Sequence, residues 1–463
     1  MKFGGSLLAS PNGPARVASI VKRSVKNNDE VVAVVSALGD VTDLLLVASS
    51  SATRWSPSQV TSFVDGLRRV HVRALQKLDL DEAEEGEAVG RLDSPIRELG
   101  LTLTGISILR EATPRSTDLV LSFGERLSSV VVSSALARKG VPAKALRGGE
   151  AGIVTDSSFG EAIPNFSRTR KNVRAKIVPL ISKGVVPVVT GFIARSTTGE
   201  ITTLGRGGSD FTATILADAL RADEVWIWTD VDGILSADPR LVKGACVLEE
   251  VSYAEAEEMA IFGAKNMHPL SLVPARRANI PVRVRNGFKP NFAGTLVHGD
   301  EKMSSGVAKA VGLVAGVGIV TVSGETLVGK PGTAARVFEI LASAQINVRM
   351  ISQSVSESNI SVVVAKESLG RASTALSKRL AEAGIVARVK IEHDTSVLSV
   401  FGAGMKGTPG VAARVFSAVA GSGVNVKMIA QGSSELSISF VVPSKDAVRA
   451  LNALHAALVL RQR

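Results

Sequence analysis

A duplicated segment constrains the fold of this chain more than any other feature. Residues 329–364 read GKPGTAARVFEILASAQINVRMISQSVSESNISVVV, and residues 407–442 read GTPGVAARVFSAVAGSGVNVKMIAQGSSELSISFVV. The offset stays at 78 residues with no gap. Such self-similarity specifies two copies of one small supersecondary unit. In the first copy the apolar run 313–322 predicts a strand. Gly329 and Pro331 then break the chain, and Ala334, Phe338 and Leu341 share one helical face. Segments 346–353 and 359–365 carry strand patterns, a second helix is predicted over about 368–383, and a strand follows near 385–391. The order is βαββαβ. The second copy reaches Arg463 just after its second helix, so its last strand is expected to be missing.

Residues 1 to about 300 follow another pattern. Apolar runs at 31–37, 185–193 and 224–229 alternate with helical stretches. That alternation predicts an α/β domain with a mainly parallel, buried sheet. Ligands of such sheets gather at the strand C-terminal ends. Only Met1 precedes Lys2, so the first strand is expected to be almost absent. The stretch 51–117 reads as helical and polar, with a solvated acidic run at 79–87. No apolar run approaches the roughly 20 residues of a membrane span, and nothing resembles a signal peptide. A cytoplasmic protein is expected, with no membrane partner. The net charge is +11, but Lys and Arg are spread along the chain without interleaved aromatics. A basic surface is therefore expected rather than a nucleic-acid site. The single cysteine, Cys246, allows neither a disulfide framework nor a thiolate metal cluster within the chain.

Six constellations carry chemistry. Lys2-Phe3-Gly4-Gly5-Ser6 reads either as a simple turn or as a loop whose amides and lysine approach an anion. Leu204-Gly205-Arg206-Gly207-Gly208-Ser209-Asp210 opens a helix, with Arg206 offering a fork for a carboxylate. Asp210 fits poorly beside an anion unless it holds a lysine in place. Thr229-Asp230-Val231-Asp232-Gly233, with Asp238-Pro239-Arg240 behind it, ends a strand in turn residues. Phe262-Gly263-Ala264-Lys265-Asn266-Met267-His268-Pro269 offers Lys265 to a phosphate, and His268 reads as structural rather than as a base. Ser122-Phe123-Gly124-Glu125 places a carboxylate where a helix is expected to open, suited to an ammonium group or simply to the helix dipole. Ser36-Ala37-Leu38-Gly39-Asp40-Val41-Thr42 sets two hydroxyls about a glycine.

In this order the motifs KFGGS, VVSA with its threonine, FGER, LGRGGSD, WTDVDGI with DPR, and FGAK with HP resemble the aspartate kinases of the amino-acid kinase family. The duplicated segment looks like their tandem ACT domains, which are ferredoxin-like. The resemblance covers nearly the whole chain. It implies a three-layer α/β/α catalytic domain over 1–300 and ACT domains over 301–392 and 393–463. Lys2, Gly4, Gly5 and Ser6 would then hold ATP phosphates, with Lys2 and Asp210 as the catalytic pair and Lys265 as a further phosphate contact. Thr229, Asp230, Asp238 and Arg240 would lie around the nucleotide. Arg206 and Glu125 would take the α-carboxylate and α-ammonium of aspartate, in a pocket lined by Ser36, Thr42 and Ser209. Mg²⁺ would come with ATP, bound by few protein ligands. Asn347, Gln353, Asn425 and Gln431 would hold an inhibitory amino acid, threonine or lysine. ACT pairing would give a homodimer or larger assembly. The alternative is a non-catalytic amino-acid sensor.

Overall fold

The computed structural model describes every residue except Pro11, 262–267, 300–307, 325–330, Glu357 and 460–463. The chain divides into two compact units. The first takes in Met1–Ile234, β-strand residues 249–253 and most of the stretch up to 299. The second takes in the repeats, Leu235–Leu248 and the helix Tyr253–Ile261 from Ala254 onward.

Among the described residues the first unit contains eleven strands: β1 (Lys2–Phe3), β2 (Ala33–Val35), β3 (Ala143–Leu146), β4 (Val154–Thr155), β5 (Val186–Thr190), β6 (Ile193–Ser196), β7 (Ile201–Thr203), β8 (Val225–Thr229), β9 (Glu250–Ser252), β10 (Val282–Asn286) and β11 (Thr295–His298). Eight of them form one sheet in the order β3-β5-β2-β1-β8-β10-β11-β9. Every neighbouring pair is parallel except β10 with β11. All residues of β2 and β5 are buried, which requires cover on both faces and explains their unbroken valine-rich sequence. The first strand is as short as expected, two residues. Two residues suffice, because β1 lies between β2 and β8 and its bonds run into both: Ser36 N–H donates to Phe3 O (3.2 Å) and Gly4 N–H to Trp228 O (3.0 Å).

A small sheet, β4-β6-β7, stands beside the large one. The helix Pro114–Arg138 is long and apolar enough to cross a membrane, but nearly all of its apolar window is buried inside the protein. Its run of Val, Leu and small residues packs into the main core. The predicted helical stretch 51–117 forms the helices Pro57–Gln76 and Glu82–Leu109.

The second unit is a six-stranded sheet built from β12 (Ala310–Ser323), β13 (Met350–Gln353), β14 (Asn359–Ala365), β15 (Arg388–Phe401), β16 (Met428–Gln431) and β17 (Ser437–Pro443), in the order β13-β14-β12-β15-β17-β16. Two long strands, β12 and β15, serve both copies. The first copy uses Val317–Ser323 of β12 as its opening strand and Arg388–Glu392 of β15 as its last. The second opens on Thr395–Phe401 of β15, which pairs with β17. Its last strand is present after all: Ala310–Val314, upstream of the first copy, pairs antiparallel with Phe401–Val397. The strand that closes the second copy is thus supplied by the start of β12, ahead of the first copy in the chain. Strand β15 thus runs straight through the expected 392/393 boundary.

Candidate active site

The C-terminal ends of β1, β2, β5 and β8 lie along one edge of the large sheet, because these four strands are parallel neighbours. After β1 the chain turns through Gly4 and Gly5 into a short helix. A Cβ on Gly5 would come within 2.7 Å of Ala37 O, so only glycine admits this approach to the chain leaving β2. Gly39 N–H donates to Gly5 O at 3.1 Å and fastens the two turns together.

Lys2 points its ammonium to Asp210 Oδ1 at 2.8 Å, with both side chains largely buried. Asp210 lies in the first turn of the helix Gly208–Leu220. The acid that looked misplaced in an anion loop is therefore the partner of the sheet lysine. Ser209 in the same turn packs on Gly191, where a Cβ would fall 2.6 Å from Ser209 Cβ. Arg206 stands exposed between two left-handed glycines, Gly205 (φ +71°) and Gly207 (φ +73°), and makes no ion pair among the described residues. Ser36 and Thr42 are half-exposed, Thr42 at the start of the helix Val41–Ser51. Ser6 is exposed.

Glu125 departs from the sequence expectation. It does not open a helix but lies in the middle of Pro114–Arg138, so the helix dipole is not what stabilises it. Gly124 lets the helix close on the β2 turn, since a Cβ there would sit 2.8 Å from Ala37 Cβ. Glu125 is 3% exposed; Oε1 accepts from Ala37 N–H (3.2 Å) and Oε2 has no partner. Burial pushes its carboxyl up to about 8, against the opposing pull of the Ala37 amide and the Lys2 charge. A buried carboxylate oxygen without a donor is costly. It makes physical sense if a cation is to be received there.

Thr229 is half-exposed and donates to Asp230 Oδ1 at 3.0 Å, with Asp230 itself exposed. Asp232 belongs to the third motif, where sequence reasoning assigned it no role of its own. It accepts from Asn286 Nδ2 (2.6 Å) and Lys289 Nζ (2.8 Å), and these bonds hold its carboxyl below the usual range. Phe192 was missed altogether. It follows Gly191 with φ +66°, left-handed for a bulky side chain, and its N–H donates to Thr212 Oγ1 (2.9 Å). The only sequence signal for it was the glycine closing the apolar run.

Asp238 and Arg240 lie in the second unit and pair with each other, guanidinium to carboxylate at 2.6 Å. Lys265 lies outside the described residues. His268 occupies the N-cap position of the helix Pro269–Ala278 without a side-chain cap bond, and the absent Cβ of Gly207 leaves room for it (2.4 Å to His268 Cβ). In the second unit Gln353 and Gln431 end β13 and β16, and Asn347 and Asn425 precede those strands by three residues. All four are exposed.

The amino acid kinase family profile matches residues 1–286, and an ACT domain profile matches 320–380 and 398–458. The crystal structure of E. coli aspartokinase III in complex with aspartate and ADP superposes with a TM-score of 0.81 at 30% identity, covering 99% of this chain and 98% of that one. This chain belongs to the aspartokinases of the amino acid kinase family. The same E. coli enzyme in complex with lysine and aspartate aligns with a TM-score of 0.79 at 29% identity. Aspartokinase 1, chloroplastic, of Arabidopsis thaliana is 31% identical over 98% of this chain and 79% of its own length. A bifunctional aspartokinase/homoserine dehydrogenase of Zea mays is 34% identical over 99% of this chain, but the chain spans only 50% of that relative. It thus spans about half the length of the bifunctional relatives it matches. In the first unit, the central-strand lysine is paired with a buried aspartate, and its charge acts on the buried Glu125.

Proposed function

We propose that the chain is an aspartate kinase, transferring the γ-phosphoryl group of ATP to the β-carboxylate of L-aspartate and yielding 4-phospho-L-aspartate. The observation that carries this reading is Glu125: a buried carboxylate with one unpartnered oxygen, on the same sheet edge as Lys2 and Asp210. It receives the α-ammonium, and Arg206, which has no ion pair among the described residues, takes the α-carboxylate in a two-pronged bond. Ser36, Thr42 and Ser209 line the remaining pocket.

No general base is needed. The β-carboxylate is ionised near neutral pH. The obstacle is repulsion between two anions, which Lys2, the Gly4–Gly5 amides and the Mg²⁺ that enters with ATP offset. Asp210 aims the Lys2 ammonium. Ser6, Thr229 and Asp230 serve the nucleotide, and Lys265 adds a second phosphate contact. Asn347, Gln353, Asn425 and Gln431 mark effector sites for an inhibitory amino acid. Lysine is the first candidate, since the E. coli relative was solved with it. We further assign the chain to a cytoplasmic homodimer or larger assembly serving lysine, threonine and methionine biosynthesis.

The test is trapping of the acyl phosphate as a hydroxamate with aspartate, ATP and hydroxylamine, with and without lysine or threonine. Lys2→Ala should lose activity by two orders of magnitude or more, roughly what removing one electrostatic stabiliser does. Because Glu125 is raised to about 8, it is largely protonated at pH 7 in the free protein. Receiving the ammonium expels that proton, so calorimetric heats of aspartate binding should vary with buffer ionisation enthalpy in wild type but not in Glu125→Gln. A hydroxamate seen with glutamate and not with aspartate would move the assignment to another carboxylate substrate.

A further inference from the structure

The helix that carries Glu125 also carries a second buried acid, Asp118, seven residues earlier and therefore on the same helical face. Asp118 is 1% exposed and makes no ion pair among the described residues. Its partners are all uncharged donors from two other segments. Oδ2 accepts from Gly160 N–H (3.0 Å) and from Thr203 N–H (2.9 Å), and Oδ1 accepts from the Thr203 hydroxyl (2.8 Å). Both oxygens are thus committed, in contrast to the half-empty Glu125.

These donors stand at the root of the Arg206 loop. Thr203 is the last residue of β7, three positions before Arg206. Ala162 N–H donates to Thr203 O at 2.9 Å and ties the Gly160 turn to the same strand. Gly205 rests on that turn: a Cβ on it would lie 3.1 Å from Glu161 Cγ and 3.4 Å from Gly160 O. On the other side Leu204 N–H donates to Phe192 O at 2.9 Å. One rigid helix therefore bears the receptor for an ammonium and, two turns away, the anchor of the loop that presents the guanidinium.

We propose that Asp118 is a positioning residue for the amino-acid substrate: by clamping Thr203 and Gly160 it fixes Arg206 at the separation from Glu125 that an α-carboxylate and α-ammonium require. This inference rests on the aspartate kinase reading. An ordinary buried acid would influence stability and both substrates alike. This one is bonded at the Thr203 root of the loop, on the Arg206 side and seven residues before Asp210 with its Lys2 partner, so its removal separates the two Michaelis constants.

The test compares Asp118→Asn, Thr203→Val and Thr203→Ser with wild type in the hydroxamate assay, with thermal melting as a control. Asp118→Asn turns an amide N–H₂ toward donors and should raise KM for aspartate roughly tenfold or more, the effect of losing a charge-assisted bond. KM for ATP should stay within about twofold, the scatter of a neutral substitution. Thr203→Val should raise KM for aspartate in the same direction by a smaller factor, and Thr203→Ser should restore the wild-type value. If Asp118→Asn does not fold, the Thr203 pair decides the matter alone. The proposal is overturned if both Michaelis constants rise together with a lower melting temperature, or if folded variants keep the wild-type KM for aspartate. Wild type giving no hydroxamate would instead remove the kinase reading. Calorimetric affinity for aspartate in wild type and Asp118→Asn, with a non-hydrolysable ATP analogue present, then judges the clamp by itself.

Discussion

The two copies of the repeat place equivalent residues at equivalent points, yet their second helices bury stripes of different width. Met350 and Met428, and Val363 and Val441, are pairs at the 78-residue offset, and all four meet in one small core on the sheet. The helix Leu369–Glu382 of the first copy buries Leu369, Ala372, Leu376 and Leu380, a narrow stripe. The helix Ala447–Leu458 of the second copy buries the matching Ala447, Ala450, Leu454 and Leu458, and also Leu451 and His455. The first copy has Ser373 and Ser377 at those two positions, half-buried and exposed. The reason is a neighbour. Ala237 and Val242 join the second copy's core, and the Ser236 hydroxyl meets His455 Nε2 at 2.9 Å. A fold sets one buried stripe; a widened stripe records what else docks on it. The second copy is fastened to the 235–248 segment, and the first keeps its outer helix face in solvent.

The sharpest way to break this contrast is to cut a buried ion pair at the second copy, one with no counterpart among the described residues of the first. Lys309 meets Glu255 at 2.9 Å, both almost fully buried, and Glu255 also accepts from Ala403 N–H at 2.7 Å. Lys309→Ala leaves the acid buried without its cation and should cost about 3–5 kcal/mol of unfolding free energy. The exposed Lys366–Asp394 pair of the first copy is the control: Lys366→Ala should leave the denaturation midpoint unchanged. Next in size, Leu451→Ala should cost about 2–5 kcal/mol, whereas Ser373→Ala at the matching position should stay within about 0.5 kcal/mol.

A smaller effect separates the copies by pH. Burial lowers the pKa of His455, so the unfolded chain binds a proton more readily than the folded one. The contribution of this site is complete above the unfolded value of about 6.5 and is lost as pH falls below it. Chemical denaturation at pH 7.5 and 5.5 should therefore show a steeper loss in wild type than in His455→Asn, which keeps a partner for Ser236. The finest comparison concerns the effector. Gln353→Ala and Gln431→Ala each remove one hydrogen-bonding side chain, worth about 0.5–1.5 kcal/mol. Each should raise the half-inhibitory lysine concentration about two- to tenfold by the same figure. An effect confined to one variant would show that the copies have divided binding from docking.

Much of the site was legible in linear order because its parts are local. Lys2 with its glycines, and Asp210 behind Arg206, are spacings a turn enforces over a few residues, and the odd acid already suggested a lysine partner. Glu125 was legible as a residue but not as an environment. Its neighbouring glycine suggested a helix start, whereas Gly124 serves a close helix-to-turn contact within a 25-residue helix. Asp118 and Phe192 escaped altogether, and Asp232 was read only as part of a turn motif, because their roles come from donors and backbone angles supplied by distant segments.

The sequence by itself determined the duplicated βαββαβ units, the buried parallel strands and the ordered motifs. Each depends on periodicity or on turn chemistry, which nearby residues decide. Only the tertiary structure decided which edge completes the second copy and which segment covers its helix. A strand edge offers the same N–H and C=O groups to any partner, and an apolar stripe states that it will be buried without stating against what. The choice of Ala310–Val314 as the last strand, and of Leu235–Leu248 as the cover, was made by packing the whole second unit.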